Sequence, residues 1–156
     1  MFRILTLGCI LACVWACTSV SSSPTDTQVE QRLQNWHKAI AQQDSTAVFE
    51  VLDDSFYYFG TDSFENWNKK AFEAFSLPLF RKGKSWNFKP THCTLIWNAD
   101  STQVWAFEML ETWMGPCRGT SSWIWKNADW KLQHYHLSMC IPNDSMSQVL
   151  ELLGRK

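Results

Sequence analysis

The sequence predicts an α+β domain in which N-terminal helices pack on one face of a curved, mostly antiparallel sheet. Three observations lead there: apolar residues at helical spacing gather in the first half, long β-prone runs gather in the second, and the links between those runs are short. Short links make antiparallel neighbours in a meander.

The elements follow in order. From Asp26 to Gln43, Val29, Leu33, Trp36 and Ile40 recur at spacings of four, three and four, a helical stripe with one buried face. Asp44 and Ser45 are placed to cap a second short helix carrying Val48, Val51 and Leu52 and ending before Asp53. Phe56 to Phe59 reads as a short aromatic strand, stopped by Gly60-Thr61-Asp62. Ser63 then starts a third helix through Trp67, Ala71, Phe72 and Phe75, and Leu77 to Lys82 runs on irregularly to a turn at Gly83. Trp86 to Trp97, Thr102 to Met114, Cys117 to Lys126 and Trp130 to Ile141 are the β-prone runs, with turns expected at Asn98 to Ser101, Gly115-Pro116 and Asn127-Ala128. Pro142-Asn143-Asp144 opens a terminal helix with Met146, Val149, Leu150 and Leu153 on its apolar side.

The chain has 156 residues and a formal net charge of -1, with no long basic run. One domain with one core is expected, and nucleic acid is not a partner, since a sequence-independent grip needs many cations on one face. Ten Trp and ten Phe must fill a large core or line an apolar hollow. Both faces of the strands are apolar: Trp105, Phe107 and Met109 alternate with Val104, Ala106 and Leu110. Helices and a pocket would cover the concave side, and a second copy would cover the convex side as a homodimer.

The N-terminus reads as a targeting signal. Arg3 precedes an apolar run from Ile4 to Ala16 that is too short to span a bilayer, which takes about 20 residues. Val14-Trp15-Ala16-Cys17 resembles a bacterial lipobox, and Ile10-Leu11-Ala12-Cys13 competes with it. Cys17 is preferred because the polar stretch from Thr18 to Thr27 follows at once. The expectation is a signal peptide over 1-16, a tether over 17-27 and a domain over 28-156, held by lipid at the bacterial envelope. An ordinary secretory signal or uncleaved anchor is the plainer alternative. Cys93, Cys117 and Cys140 remain in the domain; Cys117 and Cys140 fall on neighbouring strands, where a disulfide and separate buried thiols are both open.

The order of helix pair, aromatic strand, helix and meander is similar to the SnoaL-like branch of the nuclear transport factor 2-like and ketosteroid isomerase-like superfamily. Trp130-Lys131-Leu132-Gln133-His134-Tyr135-His136-Leu137-Ser138, with Ile141-Pro142-Asn143 beyond, resembles the family's closing strand. Arg118-Gly119-Thr120 and Phe59-Gly60-Thr61-Asp62, with Trp67 beyond, match recurrent patterns. The resemblance implies a cone-shaped fold with a deep cavity but no single activity, since members include isomerases, cyclases, dehydratases, binders and assembly modules. The isomerase branch's Tyr and Asp set does not map onto Tyr57, Tyr58 and Asp62 residue by residue, and Asp62 reads more simply as a cap or turn residue.

His134 and His136, two apart on a strand, share a face with Leu132 and Ser138 and are the first cavity candidates, able to act as acid, base or hydrogen-bond donor. Bonding within the fold is the plainer role for either. Glu111 falls across from Gly119 with His136 next along; a one-residue slip would bring in Glu108 instead. Arg118 has the opposite parity and could pair with Glu108. Tyr57, Trp105 and Trp123 complete the ligand-binding candidates, and Trp86, Trp113 and Trp125 could also line the hollow. No cofactor is expected, and no spacing suggests a third ligand for a metal. The functional expectation is binding of a small, partly apolar molecule. A lyase or isomerase moving a proton through His134, His136 and Glu111 is one alternative, and a non-catalytic dimerisation module is another.

Overall fold

The computed structural model describes residues 25–155. The expected signal peptide, Cys13, Cys17 and most of the expected tether lie outside them. Helix α1, Asp26–Ala41, buries Val29, Leu33, Trp36 and Ile40, the expected stripe, and also His37 and Ala39. Helix α2, Ser45–Glu50, is capped as expected by the Asp44 carboxylate, which accepts from the Ala47 N–H at 3.1 Å.

The next segment departs from the sequence reading. Strand β1 spans Leu52–Phe59, and residues 66–68 add a short strand, β2, that pairs with it antiparallel. The third helix, α3, therefore starts at Lys69 and not at Ser63, where the Asn68 side chain caps it through the Ala71 N–H at 2.9 Å. Asp62 sits in the β1–β2 loop and caps no helix. Helix α3 continues to Arg81 through Pro78, because burial of Phe72, Ser76 and Phe80 outweighs the one backbone bond a proline forfeits.

Strands β3 (Lys89–Trp97), β4 (Gln103–Thr112), β5 (Gly115–Lys126) and β6 (Asp129–Met139) form the expected antiparallel meander. The six-stranded sheet has the order β2-β1-β6-β5-β4-β3, with β1 parallel to β6, so it is mixed and mostly antiparallel. Asn127 and Ala128 both take positive φ, 53° and 59°, and close the β5–β6 hairpin where the sequence placed the turn. The β4–β5 hairpin instead reverses at Trp113–Met114. The Thr112 hydroxyl accepts from the Met114 N–H at 3.0 Å and donates to the Gly115 carbonyl at 2.9 Å. A short turn and helix α4, Met146–Leu152, close the chain.

Helices α1 and α3 cover one sheet face. The space between them and the sheet, expected as a deep hollow, is filled by aromatic rings: Trp36 lies 4.8 Å from Tyr135, Tyr135 stacks on Tyr58, Tyr58 on Phe72, and Trp67 on Phe75 at 4.2 Å. Cys93, Cys117 and Cys140 are free thiols. Cys117 lies across from Met139, so the next residue, Cys140, is offset from it and no bridge joins them.

Candidate functional site

The covered face carries a buried polar cluster built from three elements. The His37 ring on α1 places Nε2 at 3.0 and 3.1 Å from the two carboxylate oxygens of Glu108 on β4. Both side chains are almost wholly enclosed, at 3% and 2% exposed. The Tyr135 hydroxyl on β6 donates to Glu108 Oε2 at 3.3 Å. Burial first, and then the Glu108 charge, push the Tyr135 phenol well above its ordinary range, so it stays a donor. Gly119 on β5 lies across from Glu108, and this pairing leaves the room that the Tyr135 hydroxyl occupies. Cys93, across from Glu108 on β3, has its thiol pushed up to about 11 by burial and by the Glu108, Glu30 and Asp26 charges.

A carboxylate accepts, so the bond between ring and Glu108 runs from Nε2–H to the carboxylate oxygens. Among the described residues, Nδ1 is buried with no hydrogen-bond partner. His37 is among the residues lining a surface groove of about 440 Å³ between the second half of α1 and the start of β3. Phe88 packs edge-on against the His37 ring, with ring centroids 6.0 Å apart, and lines the same groove. Lys38 and Lys89 are in the walls, and no carboxylate is among the lining side chains.

The residues singled out from sequence lie elsewhere, with one exception. A bulge at Gln133 shifts the register between Leu132 and His134, so Leu132 points inward while His134 and His136 point outward, beside Tyr57 and Phe59. His134 is half-buried there, and desolvation, then the His136 charge, lower its pKa against a bond to the Tyr57 backbone. Glu111 is exposed and pairs with Lys89 and Pro116, because the earlier β4–β5 turn makes Glu108 the partner of Gly119. Arg118 lies across from Met109 and Ser138 on the outer face and does not meet Glu108. Trp105 is on the outer face and Tyr57 is 39% exposed, so neither lines the interior. Trp123 does point inward, but as core, its indole N–H donating to Ser121 Oγ at 2.9 Å. Trp113 is 82% exposed at the β4–β5 turn, Trp125 packs against Trp130, and Trp86 packs against Phe75 and Phe80.

Sequence reasoning missed His37. Its signal was present: it is four residues after Leu33 and three before Ile40, on the same helix face.

The family model described as SnoaL-like domain matches residues 29–142, which holds every residue of this cluster. The chain belongs to the SnoaL-like domain family. Solved structures agree on the fold of this SnoaL-like domain. An NTF2-like protein of unknown function from Pseudomonas putida is similar with a TM-score of 0.62 at 15% identity, covering 76% of this chain and 89% of that one. An NTF2-like protein from Cytophaga hutchinsonii gives 0.62 at 15%, covering 75% and 100%. A Xanthomonas campestris structure, described as a candidate calcium/calmodulin-dependent protein kinase II association domain, gives 0.60 at 15%, covering 79% and 92%. At these identities the likeness concerns the fold alone. No curated protein matches the sequence. Among the described residues, no group of three or more His, Cys, Asp or Glu is placed to hold a metal ion. What the cluster offers is a buried imidazole with one nitrogen fixed by a carboxylate and the other without a hydrogen-bond partner among the described residues.

Proposed function

We propose that this SnoaL-like domain binds a small, partly apolar molecule in the groove beside His37, while lipid on Cys17 holds it at the bacterial envelope. One observation carries the binding reading: His37, whose enclosed imidazole has a nitrogen without a partner, is among the residues lining the groove, as is Phe88, which packs against the imidazole. A buried polar atom left without a partner costs about 1–3 kcal/mol, which a ligand's hydrogen-bonding group would recover. A fragment panel followed by amide NMR tests it. Shifts are expected to cluster on Gln34, Lys38, Phe88 and Lys89 and to vanish in Gln34→Trp, which fills the groove from its exposed rim; hits confined to the outer sheet face would refute it. A proton-transfer reaction would require the same imidazole and carboxylate, so the lyase or isomerase alternative moves to His37 and Glu108. For the anchor, Cys17→Ser should abolish acylation and release soluble protein, whereas persistent labelling points to Cys13.

A second reading is favoured by the uncovered sheet face. Tyr57, Phe59, Ile96 and Phe107 are exposed there beside Trp105, and a copy of the same face would cover them as a homodimer. The Xanthomonas relative's association-domain description supports this reading. Phe107→Glu should turn a dimer of the purified domain into a monomer by light scattering; a wild-type monomer at high concentration would refute it.

A further inference from the structure

The outer sheet face carries its apolar rings and its imidazoles side by side. Strand pairing sets Phe59, His136, Thr120 and Phe107 in one row across β1, β6, β5 and β4. His134 lies one row away, across from Tyr57, and its ring and the His136 ring both pack edge-on against Phe59, with centroids 5.6 and 6.1 Å from it. His92 adds an imidazole on β3, across from Met109. Charged groups on the face are few. Arg118 lies across from Met109 and diagonal to His136, and Lys89 lies across from Glu111 at one end. At the other end Lys126 is paired with Asp53, and Lys131 with Asp129. The nearest neighbours of the β6 histidines, Tyr57 and Phe59 on β1 and Thr120 and Ser122 on β5, bring no carboxylate and no ammonium group.

Two features fit a second copy to this face. A twofold axis sets the face against itself, so it closes only where net charge is low, and with neutral imidazoles the surplus among the described residues is Arg118. Thr120, a small side chain, adjoins Phe107, which is 41% exposed. With the axis running between them, each copy's ring seats on the other's threonine, beside His136. We infer that two copies joined through their outer faces separate on acidification, when His134 and His136 take up protons. This rests on the homodimer reading of the face. Each proton opposes the contact twice: the imidazole that binds it is shielded from water by the partner's ring, and symmetry brings the same new charge on the partner toward it. Arg118 in both copies adds to the repulsion, and Glu111 is two strands away from His136. Desolvation, ahead of the His136 charge, already holds the His134 pKa below its ordinary value against a bond to the Tyr57 backbone. Covering an imidazole lowers its proton affinity further, so association is favoured above the ordinary value of about 6.5 and opposed as pH falls through it.

Sedimentation equilibrium of the full chain in density-matched detergent at pH 7.5, 6.5 and 5.5 tests the inference, with Phe107→Glu as the reference for association that does not use this face. The dissociation constant of the wild-type dimer is expected to rise at least about tenfold from pH 7.5 to 5.5, since each imidazole of ordinary pKa that the contact keeps neutral contributes a factor of up to about ten over this range. The double variant His134→Gln, His136→Gln keeps polar side chains that cannot titrate, and it should dimerise at pH 7.5 and lose most of the pH dependence. His136→Lys, an exposed change that makes the charge permanent, should weaken the dimer at pH 7.5 as acid weakens wild type. Should the double variant fail to associate at pH 7.5, the wild-type profile and His136→Lys carry the test. A wild-type dimer equally strong at pH 7.5 and 5.5, a double variant that still separates in acid, or a His136→Lys dimer as strong as wild type would overturn the inference and leave the homodimer reading standing. Wild type no more associated than Phe107→Glu at pH 7.5 would overturn both.

Discussion

Glu108 and Gly119 face each other across β4 and β5, and a Cβ placed at position 119 would come within 2.5 Å of the Tyr135 hydroxyl and 3.1 Å of Glu108 Oε2. The glycine is thus the floor on which the buried hydrogen bond rests. Gly119→Ala must displace Tyr135 or Glu108 and is expected to cost about 1–3 kcal/mol in urea unfolding, the usual range for overpacking. Tyr135→Phe removes only the hydroxyl and should cost about 1 kcal/mol. Because the new methyl would occupy the space vacated by that hydroxyl, the double variant should cost less than the sum of the two. Strict additivity would show that the residues do not touch.

Asp53 gives the fold an acid-sensitive contact. Burial acts to raise its pKa, but hydrogen bonds from Lys126 at 2.8 Å and from the Ser55 hydroxyl and N–H at 2.6 and 2.9 Å outweigh it and hold the carboxyl well below its usual range. A depressed folded-state pKa stabilises fully above the unfolded value of about 3.9 and is lost as pH falls from there toward the folded value. Asp53→Asn should therefore lower the melting temperature most at neutral pH, with the gap to wild type closing below about pH 4. A gap independent of pH would contradict the ionic origin.

The β5–β6 hairpin has room for improvement. Ala128 is held at φ 59°, which costs a non-glycine residue about 1–2 kcal/mol, whereas glycine adds about 0.4–1 kcal/mol of unfolded-state entropy. The first effect is the larger. Ala128→Gly is expected to raise stability by about 0.5 kcal/mol, read from the urea midpoint; destabilisation would contradict the left-handed backbone assignment.

Two of the three domain thiols, Cys93 and Cys117, should resist alkylation in the native state. Cys117 is fully buried, and the Cys93 thiol, pushed up to about 11, carries little thiolate at neutral pH. Intact mass after iodoacetamide treatment at pH 7.5 should show neither residue modified before unfolding. Rapid modification of Cys93 would place it away from Glu108.

The sequence revealed most of the fold because burial of one face is written into spacing. Val29, Leu33, Trp36 and Ile40 are all buried, and the alternation of Val104, Ala106 and Leu110 with Trp105, Phe107 and Met109 separates the two sheet faces as expected. The site was less legible because it depends on register. Gly115-Pro116 has the residue types of a turn, yet the chain reverses at Trp113–Met114, which lack them, and this moves Glu108 rather than Glu111 opposite Gly119. The bulge at Gln133 leaves no mark in composition, yet it turns both β6 histidines, His134 and His136, outward. Such details follow from strand pairing and packing across the sheet, which local patterns do not encode.

The central claim is that His37, and none of the strand histidines, is the enclosed imidazole, bonded through Nε2 to Glu108. A long-range proton–nitrogen NMR spectrum of the histidine side chains at neutral pH tests it most directly. The expected result is a proton held on His37 Nε2 in slow exchange with solvent, which the exposed His136 ring does not show. An averaged or Nδ1–H pattern for His37 would contradict the account.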